Sequence, residues 1–328
     1  MSGSAGGAEG AAAPAPDVSV VIPCYNHAQF LADAIRSIAP GTRTVEIIVV
    51  DDGSEDTSAE VARAFRHVRY VRQPNLGLAA ARNRGLREAR GLFVVFLDAD
   101  DRLLPGAIET GAAALDSHPF CAMVFGRCVM MAADGTFLPT PALARIETGH
   151  HGEFLRHNPI WMPAMAMLRR ADVERLGGFA SGFDAAADYD LYLRLAAARP
   201  VHDHATLVAA YRRHDANMSG SAARMLRDTH AVMSRHRPDD PRLMPAWRQG
   251  QRSWRSFYGT HLVEEIRGHL HRGQVRSAVG KIMTLVRWNP GLALHEIMRK
   301  TRLAMAAASR HPAGPRPRRA SAGPDHES

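Results

Sequence analysis

Short, continuous apolar runs alternate along the first hundred residues with stretches whose apolar positions recur at helical spacing. VSVVI (Val18 to Ile22), VEIIVV (Val45 to Val50), HVRYVRQ and LFVVFL are rich in β-branched or aromatic residues and predict four strands. Between them, HAQFLADAIRSI sets Phe30, Leu31, Ala34, Ile35 and Ile38 on one helical face. SEDTSAEVARAF predicts a second helix with Ser54 or Asp56 as its N-cap, and GLAAARNRGLREAR a third. Strands that are apolar throughout are covered on both faces. Their alternation with helices predicts an α/β fold with right-handed crossovers and a mostly parallel sheet. In such sheets ligands bind beyond the carboxyl ends of the strands. There the sequence reads PCYN, DDGS and DADD, polar in all three cases and strongly acidic in two.

After Asp101 the periodicity weakens. A helix is expected after Pro105, a strand in CAMVFGRCVMMAADG leading to a turn at Asp134-Gly135, and a His-rich loop over 141–160. AMAMLRRADVERLGGF predicts a strand and a short helix ending at Gly177-Gly178. AADYDLYLRLAAAR predicts an amphipathic helix with Leu191, Tyr192, Leu193 and Leu195 for packing, and TLVAAYRRH a strand. From Met225 the composition turns to Arg, His and helix formers, predicting two or three amphipathic helices with a break at Asn289-Pro290-Gly291. The expected organisation is a disordered Ala/Gly/Pro leader (1–16), an α/β domain (17–224), a helical extension (225–311) and a disordered Pro-rich tail (312–328).

Charge widens the choice of partners. The chain is 46% hydrophobic, enough for a large core, and carries a net charge of +8. That excess suits anionic small substrates, an anionic membrane surface or nucleic acid, but no nucleic-acid-binding motif is present. Cys24, Cys121 and Cys128 form no metal-type spacing, and an odd, scattered set speaks for a reducing compartment. No run of about 18 uncharged apolar residues predicts a membrane span, and the leader lacks the basic and apolar regions of a signal peptide. A cytoplasmic location follows, with peripheral contact at the inner face of the membrane as an option for the basic C-terminal helices.

The chemistry lies in LDADD. Asp98 and Asp100 leave a strand with Asp101 beside them, and like charges so close need a cation among them. Mg²⁺ or Mn²⁺ is suited, since such ions bind through one or two carboxylates plus substrate phosphates. An acidic turn that caps the next element is the plainer alternative. Taken in order, VSVVIPCYN, EIIVVDDGSEDTS, QPNLGLAAARNRG and FVVFLDADD resemble the family 2 glycosyltransferases, which have the GT-A fold. RRADVERLGGF, AADYDLYLRL and YRRHDANMS match further landmarks of that family, so the resemblance covers about Val18 to Ser219.

The resemblance implies roles residue by residue. Pro23 and Tyr25 would wrap the nucleotide base, and Asp51 and Asp52 would meet the base edge and ribose, with one of the two serving structure instead. Arg82 would lie near the base or diphosphate, with Arg84 the surface alternative; Asp98 would contact the ribose or sugar. Asp100 would hold the metal, with His214 helping. Asp188 would deprotonate an acceptor hydroxyl in a single inverting displacement. Many relatives carry Glu before this Asp; Ala187 stands here, which leaves Asp190 as the alternative base. Trp161 and Met162 would flank the acceptor, a saccharide or lipid-linked molecule. Arg212 and Arg213 would aid phosphate binding or stay solvated, and His202 and His204 lack partners for a second metal. The expected function is therefore transfer of a sugar from a UDP- or dTDP-linked donor, in cell-surface polysaccharide or glycoconjugate synthesis. The competing readings are a phosphatase of the haloacid dehalogenase type, whose DxD opens its domain rather than ending a fourth strand, and a non-catalytic basic module.

Overall fold

A computed structural model describes residues 15–141, 145–146, 150–182, 184–215, 217 and 220–309. The two segments expected to be disordered lie outside the described residues, apart from Ala15 and Pro16. The chain divides into two compact units, one ending at Tyr258 and one beginning at Gly259.

The first unit opens with the predicted alternation: β1 (Val18–Cys24), α1 (Ala28–Arg36), β2 (Val45–Asp51), α2 (Ser58–Arg63), β3 (Val68–Arg72), α3 (Leu78–Glu88) and β4 (Phe93–Phe96). β1, β2, β3 and β4 pair in parallel in the order β3-β2-β1-β4. β1 and β4 are buried along their whole length, as their unbroken apolar sequences require. α3 comes close enough to β1 that a Cβ at Gly85 would overlap the Val21 side chain, so only glycine fits there. α2 is shorter than predicted. Asp56 accepts from both the amide and the hydroxyl of Ser58 at the start of α2, and also from the Ala28 amide at the start of α1. One predicted cap therefore serves two helix ends.

Beyond β4 follow β5 (Arg102–Leu103), α4 (Ala107–Ser117), β6 (Met123–Ala132), β7 (Phe137–Leu138), α5 (His150–Arg156), β8 (Ala166–Arg169), α6 (Arg170–Arg175), α7 (Ala187–Ala198) and β9 (Val201–Arg213). They extend the sheet to β3-β2-β1-β4-β8-β6-β9-β5, with β7 on β6. β8 enters antiparallel to both β4 and β6, while β6 and β9 run parallel. The fold is the expected α/β sheet of mostly parallel strands flanked by helices. Two expectations change. The His-rich 141–160 stretch contains a helix, α5, because Phe154 and Leu155 give it a face to bury. α7 is not amphipathic: Tyr189, Asp190, Leu191, Tyr192, Leu193 and Leu195 are all buried, since α5, α6 and α8 (Ala222–Arg235) pack around it. α9 (Met244–His271) starts in the first unit, where the Trp247 indole N–H donates to the Met233 carbonyl of α8.

The second unit holds the rest of α9, α10 (Val275–Trp288) and α11 (Pro290–Ser309). Of the break predicted at Asn289-Pro290-Gly291, Asn289 alone lies between α10 and α11; Pro290 and Gly291 open α11. Lys281 pairs with Glu265, and Arg267 with Glu296, tying the three helices together.

Candidate active site

Both acidic strand ends lie at the carboxyl edge of the parallel strands, but they are wired differently. After β2, Asp51 accepts from the Ser54 amide (2.7 Å) and the Tyr70 hydroxyl (2.5 Å), with Arg72 at 3.4 Å. Asp52 accepts from Gln73 (2.7 Å) and from the amides of Leu76 (3.0 Å) and Gly77 (2.9 Å), so it shapes the loop that leads into α3. Gly53 makes the sharp exit possible: its φ is +81°, and a Cβ there would lie 2.9 Å from the Asn75 amide. Pro23 is buried at the end of β1, whereas Tyr25 is 44% exposed. Asn26, with φ +55°, ties the two turns together by accepting from the Glu55 amide and donating its own amide to Ser54.

After β4, Asp98 accepts from Arg82 at 2.8 Å. Arg82 is buried, its guanidinium lies over the Phe179 ring, and its Nε has no hydrogen-bond partner among the described residues. Burial works against the charge of Arg82, but Asp98 and Asp188 together outweigh it and raise its pKa. Arg84, by contrast, pairs with Glu88 on the flank of α3.

The chain then runs directly into β5, which pairs antiparallel with β9. This two-residue strand carries the acidic turn across to the end of β9. Asp100 meets His214 Nε2 at 2.9 Å and the Asn217 amide at 3.3 Å, with His27 Nδ1 at 3.8 Å. Asp101 accepts from the Arg212 amide through one oxygen; its other oxygen is buried without a hydrogen-bond partner among the described residues. Burial, with Asp100 and Asp98 nearby, holds the Asp101 pKa well above the usual range. Arg212 is neither solvated nor free for phosphate. It is 1% exposed and donates to the carbonyls of Asp100 and Ala133 and to the Asp33 carboxylate, beneath the Phe30 ring. Asp100 and His214 thus present two metal-type ligands next to the unpaired polar atoms of His27 and Asp101. That donor set fits a divalent ion completed by phosphate oxygens. Among the described residues no three His, Cys, Asp or Glu side chains form a metal cage by themselves.

Asp188 sits in the first turn of α7, half-buried, and accepts from the Tyr189 amide. Burial raises its pKa, Asp98 adds to the rise, and Arg82 opposes it. Asp190, two residues on, is in a different state. It is fully buried, held by Arg194 (2.7 Å) and His236 (2.9 Å), and its pKa is lowered because these partners outweigh burial. Trp161 is half-buried against the core and Met162 is buried within it. His202 stacks on His118 rather than pairing with His204.

Sequence reasoning missed several neighbours. His27 approaches Asp100, and Asn217 bridges His214 to it. Tyr258 of α9 lies close enough to Asp188 that, after burial, this carboxylate is the main influence raising its pKa. Trp254 stacks on Tyr258 and meets the Tyr189 ring edge-on. The only signal for this was the aromatic spacing of Trp254 and Tyr258, one helical turn apart.

This arrangement joins a carboxylate at a strand end, through Arg82, to a separate carboxylate on a helix. Residues 19–177 match the family described as Glycosyl transferase family 2. Over this segment the chain is similar to family 2 of the glycosyltransferases. YibD, an uncharacterised glycosyltransferase of Escherichia coli, is 42% identical over 98 residues, 28% of this chain and 28% of YibD. The chain therefore spans little more than a quarter of that relative. Among solved structures, S. aureus TarS (residues 1–349, in complex with UDP) is 17% identical, covering 84% of this chain and 82% of that one, with a TM-score of 0.56. The mannosyltransferase PcManGT of Pyrobaculum calidifontis, in complex with GDP-Man and Mn²⁺, is 17% identical, covering 90% and 83%, with a TM-score of 0.57. At these identities the likeness shows a shared GT-A-type fold.

Proposed function

We propose that the protein transfers a sugar from a UDP- or dTDP-linked donor to an acceptor hydroxyl with inversion, using Asp188 as general base. One observation carries this reading: Arg82 pairs with Asp98 at the end of β4 while lying in the field of Asp188 at the start of α7. A single buried cation thereby links the donor-side carboxylate to the carboxylate with a raised pKa. Such a carboxylate is a stronger base than an ordinary one, and general bases work best when their pKa approaches the working pH.

In the proposed step Asp188 removes the acceptor hydroxyl proton as the new C–O bond forms at the anomeric carbon. The bond to the diphosphate oxygen breaks on the opposite face, and the nucleoside diphosphate leaves. Asp98 orients the ribose or sugar, and Arg82 holds positive charge beside it. Tyr25, exposed at the end of β1, covers the base together with Pro23. Asp52 takes the base edge and ribose, while Asp51 is the structural member of the pair, given its bonds to Tyr70, Ser54 and Arg72. Asp100 and His214 would hold Mg²⁺ or Mn²⁺, which supplies positive charge to the diphosphate. Relatives of the same fold bound to UDP and to GDP-Man with Mn²⁺ support this donor class and the use of a divalent ion. Asp190 is the weaker candidate base because Arg194 and His236 already occupy it.

Trp161 offers an aromatic face on the acceptor side, with Met162 packed behind it. The acceptor is a saccharide or lipid-linked molecule of cell-surface polysaccharide or glycoconjugate synthesis, reached from the cytoplasmic side with peripheral contact at the inner membrane face. No described helix is long and apolar enough to cross a membrane. The test is a pair of measurements. UDP or dTDP should raise the Tm only with Mn²⁺ or Mg²⁺, and Asp188→Asn should keep that shift while losing turnover of the donor. Turnover at the wild-type rate in Asp188→Asn, or no metal-dependent shift, would overturn it.

A further inference from the structure

Within the second unit, α10 has two faces. Ala278 and Leu285 are buried. Val275, Val279, Ile282, Met283 and Val286 are all exposed, with Val275 at 60% and Met283 at 65%. The spacing 275, 279, 282/283 and 286 lines them up on one side of the helix. Water-exposed stripes of large apolar residues mark interaction surfaces.

Charge indicates what covers this one. From Gly259 to Ser309 there are eight Lys or Arg and three Glu. All three carboxylates belong to the same stretch as the stripe, and two of them are engaged: Glu265 by Lys281, and Glu296 by Arg267 and Arg299. Arg272, Arg276 and Arg287, at the ends of the stripe, form no ion pair among the described residues. Neither terminal segment outside the description is suited to cover it: residues 310–328 hold no Leu, Ile, Val, Met or aromatic side chain, and residues 1–14 only Met1. A second copy is also a poor fit, since five side chains expose on the order of 400 Å² against the ~800 Å² per partner that a stable dimer buries. An apolar stripe flanked by arginines matches the boundary between headgroups and acyl chains in an anionic bilayer.

We infer that α10 lies in the surface of an anionic lipid bilayer, with Val275, Val279, Ile282, Met283 and Val286 facing the acyl chains and Arg272, Arg276 and Arg287 the phosphate headgroups. This names the element behind the proposed peripheral contact, and it holds or fails independently of the transfer reaction. The full chain should float with vesicles containing phosphatidylglycerol, at least tenfold less with pure phosphatidylcholine, and less again in high salt. Val279→Ser with Ile282→Ser should cut flotation at least tenfold while leaving the melting curve intact, as both side chains face solvent. Should that pair disturb folding, Met283→Cys carrying a polarity-sensitive fluorophore gives a second readout, since the three native cysteines are buried. Its emission should shift to the blue on anionic vesicles. Flotation unchanged in the serine variant, an unshifted fluorophore, or sedimentation showing a dimer that the serine variant dissociates would overturn the inference.

Discussion

The turns after β2 and β4 are both acidic, both end an apolar parallel strand, and both lie at the same edge of the sheet. Their carboxylates nevertheless do opposite things. Asp51 and Asp52 gather protein donors: a hydroxyl, backbone amides and a glutamine. Asp98 and Asp100 rest on the buried Arg82 and on His214, while one buried oxygen of Asp101, beside them, has no hydrogen-bond partner among the described residues. Buried polar groups in a purely structural turn find partners. A turn that leaves a carboxylate oxygen without a partner suits a ligand that brings positive charge, as in the proposed function. Acidity at a strand end therefore does not mark a cation site by itself; the partnerless oxygen of Asp101 is what separates the two turns.

The contrast can be broken by substitution. Asp100→Asn should lower turnover by ~10²–10³-fold and abolish metal-dependent stabilisation by nucleotide, with little change in unfolding by urea. Asp51→Ala should do the reverse. It leaves the buried Ser54 amide without its acceptor, takes away the partner of the part-buried Tyr70 hydroxyl, and should cost ~1–3 kcal/mol in urea unfolding. If Asp51→Ala leaves stability untouched, the division between the two turns fails. Asp190→Asn should cost ~1–3 kcal/mol at pH 7 by weakening the bonds to Arg194 and His236. The folded-state pKa of Asp190 is lowered, so its contribution is complete above the unfolded value of ~3.9 and is lost as pH falls through the folded value. The stability gap between wild type and Asp190→Asn should accordingly shrink between pH 7 and pH 3. Tyr70→Phe removes a single hydrogen bond to Asp51 and should cost only ~1 kcal/mol.

Much of this was legible in the sequence because apolar runs and helical spacing are local. VSVVI, VEIIVV and LFVVFL became β1, β2 and β4, and the strand-end positions followed from them. Less legible were features set by distant contacts. Nothing around Arg102-Leu103 announces a strand; it forms because β9, more than a hundred residues later, offers an open edge. That pairing brings Arg212 and His214 to the acidic turn and makes Arg212, expected to aid phosphate binding or stay solvated, a buried clamp. α7 misled for a related reason. Its sequence mixes Asp and Arg with Leu and Tyr, which reads as two-sided, yet Asp190 and Arg194 neutralise each other inside the packing. Asp188 and Asp190 look equivalent in AADYDLYLRL, and only their surroundings separate them.

Those surroundings give the most direct test of Asp188 as the base, namely the acid limb of kcat/KM against pH, which reports the free enzyme. Asp188 is raised and Asp190 lowered relative to an ordinary carboxylate, so the two predict limbs on opposite sides of about pH 4. The limb should fall above that value in wild type and stay there in Asp190→Asn once the variant is assayed where it is folded. A limb below that value, or one that vanishes in Asp190→Asn, would contradict Asp188 as the proton acceptor.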